Sequence, residues 1–136
     1  MSNIDDLIDD FSFLENWEDR YKYLIELGNG LEHLSNDKKI DEWKISGCQS
    51  QVWIIPHIKD DKLYFEGDSD AIIVRGIIAI VFEIFKDKSA QEILDIDVEE
   101  IFDKMGLREH ITPNRRSGML SMVDKIKYYA TQALKV

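Results

Sequence analysis

The chain has 136 residues, with 27 acidic and 17 basic side chains and a formal net charge of −10. This length suits one domain over residues 1–136, with a core that needs no disulfide or metal to hold it together. The negative field repels phosphate backbones and therefore argues against a nucleic-acid partner.

The location of the protein is predicted from its lone cysteine and its first ten residues. A single cysteine is typical of a reducing compartment, and the acidic start of the chain lacks the basic flank and apolar run of a signal peptide. The longest apolar stretch, residues 71–85, is shorter than a membrane span and carries Arg75 and Glu83. We expect a cytoplasmic protein without a membrane contact.

Asn29-Gly30 can end or bend a helix that is predicted in the N-terminal third, where apolar residues recur at steps of three and four. These residues are Trp17, Tyr21, Leu24, Gly28 and Leu31. Residues 35–41 are polar and form a connection. The middle of the chain is predicted to be a β-hairpin, with strands over residues 52–58 and 63–66 and a turn over residues 59–62. Pro56 cannot donate a ladder hydrogen bond, so the first strand is expected to lie at an edge or to carry a bulge.

The second half of the chain is predicted to be helical. An almost wholly apolar helix over residues 72–85, capped by Ser69 or Asp70, is expected at the centre of the core. Short helices follow over residues 89–94, with a capping box, and over residues 98–105. The last helix starts at Thr112 and Pro113. Its expected buried stripe is Met119, Met122, Val123, Ile126, Tyr129 and Ala133. The predicted fold class is α+β, with a small antiparallel sheet packed against several helices.

The one cysteine lies in the segment "ISGCQSQVW", residues 45–53. A lone cysteine is often a small buried hydrophobe. Here, however, Gly47 precedes it and polar residues follow it, which favours a thiol presented on a loop. A nucleophilic thiol needs a nearby cation or backbone donors to lower its pKa, and Arg115 and Arg116 are the candidate cations.

Other polar residues carry weaker signals. A cysteine–histidine pair would need His33, His57 or His110 beside Cys48, and surface or strand positions are the simpler interpretation of these histidines. The spacing of the possible ligands does not predict a metal site. The carboxylates Asp68 and Asp70 are interpreted as favourable charges at a helix N-terminus.

Three motifs carry a resemblance to a known family. They are "GCQSQVW" at residues 47–53, "GDSDAIIVRGIIA" at residues 67–79 and "GLREHITPNRRSGM" at residues 106–119. Their order and spacing resemble those of the SufE-like sulfur acceptors, including the CsdE-type proteins, over nearly the whole chain. The resemblance implies a fold similar to that of U-type iron–sulfur scaffold proteins.

The resemblance also implies a function. Cys48 would accept sulfur from the persulfide of a pyridoxal-phosphate cysteine desulfurase of the SufS or CsdA type, stimulate that enzyme, and pass the sulfur to an iron–sulfur scaffold. No cofactor is expected on this chain, which would be a monomer or weak homodimer and a sulfur-transfer accessory rather than a self-sufficient enzyme. The residues expected to support the thiol are Gln49, Ser50, Gln51, Asp70 and Arg115.

Two other interpretations remain open from the residues alone. A partner-independent thiol enzyme, such as a thiol peroxidase or a cysteine hydrolase, would need a thiol of low pKa with its own base. A structural adaptor would not need the cysteine at all.

Overall fold

A computed structural model of the protein describes residues 4–107 and 111–135. Two short 3₁₀ helices, Asn36–Lys38 and Asp41–Trp43, precede the hairpin. An antiparallel hairpin and six α-helices form the rest of the regular structure of these residues, which confirms the predicted α+β class. In chain order these are α1 Ile4–Phe13, α2 Trp17–Gly30, β1 Val52–Lys59, β2 Lys62–Ser69, α3 Ile72–Phe85, α4 Ala90–Asp95, α5 Val98–Lys104 and α6 Pro113–Leu134.

The hairpin is the predicted one, although its second strand is longer than expected. Pairing runs without interruption from Val52 opposite Ser69 to Lys59 opposite Lys62. The two turn residues, Asp60 and Asp61, both have positive φ (54° and 64°), as a tight type I′ turn requires. Each strand of a two-stranded sheet has a free edge, so the missing N–H of Pro56 is tolerated at the predicted edge position, and no bulge is needed.

Helix α3 is the centre of the core, as its apolar sequence predicts. Most of its side chains are buried, and α2 lies across it at very short range. A Cβ atom on Gly76 would overlap the carbonyl oxygen of Leu24, and one on Gly28 would lie 2.8 Å from the backbone nitrogen of Gly76. The two helices therefore reach this separation only because both crossing points are glycine.

The predicted cap of α3 is wrong. The N-cap residue is Ala71, which has no side-chain oxygen to accept a hydrogen bond. Ser69 is the last residue of β2, and its hydroxyl accepts a hydrogen bond from the backbone N–H of Ala71 (3.2 Å). The carboxylate of Asp70 accepts one from the backbone N–H of Gln51 instead (3.0 Å). Asp70 thus joins two distant segments rather than capping a helix.

Asp68 is not a capping residue either, because it is fully buried and paired with Arg75. Its carboxylate also accepts hydrogen bonds from the backbone N–H groups of Leu34 (3.0 Å) and Ser69 (2.8 Å). Burial by itself raises the pKa of Asp68. The two backbone donors and the guanidinium outweigh that effect and hold the pKa below its usual value.

Arg75, the partner of Asp68, also binds the C-terminal end of α2. Arg75 donates from Nε (3.1 Å) and Nη2 (2.9 Å) to the carbonyl oxygen of Gly28, and also donates to that of Leu31. The guanidinium therefore adds donors at the C-terminal end of α2, where the carbonyl of Gly28 also accepts the backbone N–H of Leu31 (3.2 Å). One buried ion pair joins α2, β2 and α3.

The remaining helices match their expected starts. Ser89 and Glu92 form the predicted capping box of α4, and Thr112 caps α6 with Pro113 in the first turn. The stripe of α6 is buried at Met119, Met122, Val123 and Ile126; Tyr129 and Ala133 are only partly buried, and Ala130 is fully buried. Helix α1 was not predicted, although Leu7 and Phe11 are buried on its inner face. None of the helices in the described residues has the length and hydropathy needed to cross a lipid bilayer.

Candidate functional site

Cys48 lies in a short loop that is closed at its base. The backbone N–H of Ile45 donates to the carbonyl of Val52 (2.8 Å), and Lys44 forms a bridge with Trp53, so the chain pairs on either side of residues 46–51. Gly47 has a φ of +86°, a conformation that side chains with a Cβ rarely adopt. A Cβ at this position would also lie 2.7 Å from the hydroxyl oxygen of Ser121 on α6. The glycine before the cysteine therefore allows the loop to turn and to lie against α6.

The thiol of Cys48 is half-buried and faces a cavity of about 80 Å³ between the loop and helices α3 and α6. Its Sγ atom is 3.6 Å from the carbonyl oxygen of Gly118, to which the S–H group donates. The apolar part of the wall consists of Val52, Val74, Ile77, Met119 and Met122. A water molecule needs roughly 10–15 Å³ of such space, so the cavity has room for an additional atom the size of sulfur beside Sγ.

Burial raises the pKa of the Cys48 thiol above its ordinary value. The cations expected to lower it do not offset this effect. Arg115 lines the cavity, but Arg116 donates from Nε (2.9 Å) and Nη2 (2.5 Å) to Glu99 on α5. Val74 and Ile77 bring the first half of α3 to the cavity wall, yet the pKa of the Cys48 thiol is still raised in this closed arrangement.

The predicted supporting residues fall into two groups. Gln49, Ser50 and Arg115 line the cavity together with Cys48. Gln51 and Asp70 lie at the base of the loop, where they are joined twice. The N–H of Gln51 donates to Oδ1 of Asp70 (3.0 Å), and the N–H of Asp70 donates to the carbonyl of Gln51 (3.3 Å). These two hydrogen bonds tie the end of the cysteine loop to the end of β2.

The histidines do not assist the thiol in the part of the chain that the structure describes. Nε2 of His57 is 3.1 Å from the carboxylate of Glu66, and Nδ1 of His33 is 3.3 Å from that of Asp68. Neither histidine lines the Cys48 cavity. His110 and the two residues before it, which belong to the third motif, lie outside the described residues. Within residues 4–107 and 111–135, no group of three or more His, Cys, Asp or Glu side chains is arranged to hold a metal ion.

Several residues of the site were not singled out from the sequence. Gly118 is the most informative, because a Cβ there would lie 3.4 Å from Sγ of Cys48. A glycine inside a long helix costs stability relative to alanine, and this cost was the available signal. Asn114 also lines the cavity, and Ser121 supports Gly47. These three residues lie on α6, about 70 positions along the chain from the cysteine.

The fold and the site together define an α+β protein with one thiol held in a small cavity between a loop and two helices. The family model for SufE, described as the Fe-S metabolism associated domain, matches residues 5–130. The chain belongs to the SufE family, which confirms the resemblance of its motifs. This membership associates it with iron–sulfur metabolism.

Relatives in two rhizobia are similar along most of their length. A SufE-like protein of Rhizobium meliloti strain 1021 is 49% identical over 131 residues, which cover 93% of this chain and 94% of the relative. A SufE-like protein of Rhizobium etli is 48% identical over 131 residues, covering 93% and 88%. A hypothetical protein of Thermus thermophilus, known from a solution structure, matches with a TM-score of 0.79 at 17% identity and covers 98% and 96% of the two chains. That last similarity concerns the fold alone.

Proposed function

We propose that Cys48 accepts the outer sulfur of a persulfide on a cysteine desulfurase, stimulates that enzyme, and carries the sulfur to iron–sulfur cluster assembly. Membership of the SufE family supports a sulfur-acceptor role and a cysteine desulfurase as the partner. The observation that carries the proposal is the cavity beside the thiol, which is lined partly by apolar side chains and has room for one further sulfur atom.

The transfer balances without an oxidant or a reductant. The thiolate of Cys48 attacks the outer sulfur of the donor persulfide, a new S–S bond forms on Cys48, and the donor's S–S bond breaks. The electron pair of the broken bond leaves on the donor cysteine, which takes up a proton. Cys48 loses one proton before the attack, so the products are a donor thiol and a Cys48 persulfide. The pyridoxal phosphate that releases sulfur from free cysteine belongs to the desulfurase.

The cavity has a purpose in this scheme after the transfer. A persulfide exposed to solvent is open to oxidants and to small thiols. Val74, Ile77 and Met119 place apolar surface next to Sγ, and the half-burial of Cys48 restricts the approach of such molecules. A sulfur atom bound to Cys48 would therefore be shielded until the loop opens.

The closed arrangement also limits when the transfer takes place. Burial raises the pKa of the Cys48 thiol and so disfavours the reactive thiolate, and the half-burial of the residue restricts access to Sγ. The thiol becomes reactive when the loop moves out and regains solvent or meets a cation of the partner. The hydrogen bonds between Gln51 and Asp70 hold the loop in the closed position. Docking of the desulfurase would break or bypass them.

A partner-independent thiol peroxidase or cysteine hydrolase is less well supported. Such enzymes need a thiol whose pKa is lowered and a base within reach, whereas burial raises the pKa of Cys48 and neither His33 nor His57 lines its cavity.

Desulfurase turnover tests the proposal. The wild-type protein is added to a cysteine desulfurase with cysteine as substrate and a dithiol that reduces the persulfide sulfur to sulfide. Sulfide release is compared with that for Cys48→Ser and for Asp124→Ala, a control variant at an exposed position of α6 outside the cavity wall. We expect stimulation by the wild type and by Asp124→Ala, and none by Cys48→Ser, with thermal unfolding unchanged. Equal stimulation by Cys48→Ser would support a structural adaptor, and thiol-dependent activity without any desulfurase would support a self-sufficient enzyme.

A further inference from the structure

A second surface feature lies on the N-terminal helices. Between α1 and α2 there is a groove of about 460 Å³ whose apolar lining is formed by Phe13, Leu14 and Tyr23. The side chain of Phe13 is 82% exposed, which is unusual for a large aromatic residue. None of the residues that line this groove also lines the Cys48 cavity.

The groove is bordered by carboxylates. Asp19 and Glu26 are seven residues apart on α2 and therefore lie on the face that also presents Tyr23. Asp10 on α1 accepts a hydrogen bond from the hydroxyl of Tyr23 (2.7 Å). Desolvation, together with the charges of Asp10 and Glu26, raises the pKa of Tyr23 well above its ordinary value. The carboxylates of Asp10, Asp19 and Glu26 thus border the apolar lining.

The charge of this region stands out from the rest of the chain. Residues 1–32 carry nine acidic and two basic side chains, against eighteen acidic and fifteen basic in residues 33–136. One of the two basic residues, Arg20, is directed at backbone carbonyl groups: it donates to Leu14 (3.0 Å) and Gly106 (3.3 Å). Lys22 is then the cation at the groove. Within the described residues, Asp19 and Glu26 form no ion pair.

An apolar groove that is lined by three carboxylates and one lysine is complementary to one class of protein segment. Lysine or arginine side chains would meet the rim, and an apolar side chain between them would be desolvated against Phe13 and Tyr23. An acidic or purely polar segment gains neither contribution. We propose that this groove binds a lysine- or arginine-rich segment of a partner protein that carries an apolar anchor. The inference goes beyond the proposed function, because it concerns a surface that is separate from the thiol.

The test measures binding of a defined probe by NMR. A short synthetic peptide of leucine and lysine is titrated into the isotope-labelled full chain, next to a peptide with glutamate in place of each lysine. The lysine peptide should give saturable shifts at Phe13, Tyr23 and Glu26, and the glutamate peptide should give none. Absence of binding, or shifts spread evenly over the acidic surface, would overturn the proposal.

Variants separate a specific groove from general charge attraction. The pair Asp19→Lys/Glu26→Lys should weaken binding about tenfold, and the charge-matched pair Asp95→Lys/Asp103→Lys on α4 and α5 should weaken it less than about twofold. Glu26→Lys alone serves if the first pair does not fold. Phe13→Ala leaves the charge unchanged and should weaken binding about fivefold.

Equal weakening by the two charge-reversed pairs, or no effect of Phe13→Ala, would contradict the proposal. So would concentration-dependent shifts at Phe13 and Tyr23 without peptide, because the occupant would then be a second copy of the chain. A failure of desulfurase stimulation would leave this test unaffected.

Discussion

Replacing Asp70 by alanine is expected to release the cysteine loop without unfolding the protein. The substitution removes the carboxylate that accepts the hydrogen bond from the backbone N–H of Gln51, while the backbone hydrogen bond from residue 70 to the carbonyl of Gln51 remains. A hydrogen bond of this kind at an exposed position contributes about 0.5–1.5 kcal/mol. The equilibrium for loop opening should therefore shift by about 2- to 12-fold.

The rate at which Cys48 is alkylated reports this opening, since the thiol is half-buried when the loop is closed. Iodoacetamide labelling at neutral pH, followed by mass spectrometry, should be about 2- to 12-fold faster in Asp70→Ala than in the wild type. Asp70→Asn keeps an acceptor oxygen and should give an intermediate rate. Asp124→Ala removes an exposed carboxylate elsewhere, on α6, and serves as the charge-matched control.

The free energy of unfolding distinguishes local opening from general destabilisation. Urea denaturation of Asp70→Ala should give a value within about 1 kcal/mol of the wild type. Labelling of Asp70→Ala that is no faster than that of the wild type would contradict a loop held closed by this hydrogen bond. So would equal acceleration by Asp124→Ala, or faster labelling that accompanies a large loss of global stability.

Three further predictions concern the core and the thiol. Gly76→Ala should lower the free energy of unfolding by about 1–3 kcal/mol, because the new Cβ meets the backbone of α2, whereas Gly30→Ala, with nothing within 4 Å, should be neutral or slightly stabilising in urea denaturation. Asp68→Asn should cost about 3–5 kcal/mol by leaving Arg75 buried without a counter-charge. Because the folded-state pKa of Asp68 is lowered, the ionised carboxylate stabilises the fold above its ordinary pKa, and this stabilisation is lost as pH falls through the folded-state pKa. Asp68→Asn should therefore lose less free energy of unfolding than the wild type between neutral pH and about pH 3. An equal loss in the two proteins would contradict this. The pH midpoint for alkylation of Cys48 should be higher in the folded protein than in urea, since burial raises its pKa; a lower midpoint would indicate an activated thiol.

The elements predicted from the sequence are those fixed by local chemistry. The hairpin follows from β-branched residues before a short acidic turn and aromatic residues after it, and α3 follows from an apolar run too long for a strand. Thr112 and Pro113 mark the start of α6 for reasons contained in a single turn of helix. The unusual setting of Cys48 is also local, because Gly47 and the polar residues after it are its sequence neighbours.

The features that were missed depend on contacts between distant segments. Ser69 and Asp70 have the chemistry of capping residues, but β2 extends to Ser69, and the carboxylate of Asp70 meets the N–H of Gln51, 19 positions earlier. Asp68 and Arg75 are only seven residues apart. Their burial nevertheless depends on the C-terminal end of α2, where Arg75 donates to the carbonyl of Gly28, and no local sequence pattern predicts this contact.

The cavity is a still longer-range feature, since it is assembled from the cysteine loop, α3 and α6. Gly118 faces Cys48 from 70 positions away. Helix α1 was missed for a different reason. Its buried residues, Leu7 and Phe11, are outnumbered by aspartates, so composition concealed the helical spacing of its apolar face.

Mass spectrometry of the protein after incubation with a cysteine desulfurase and cysteine tests sulfur transfer to Cys48 most directly. Because the chain has one cysteine, the site of modification is unambiguous. We predict that the peptide containing Cys48 gains the mass of one sulfur atom, that a reducing agent removes it, and that Cys48→Ser gains none. An unmodified Cys48 in the presence of an enzyme that is demonstrably turning over cysteine would contradict the proposed role.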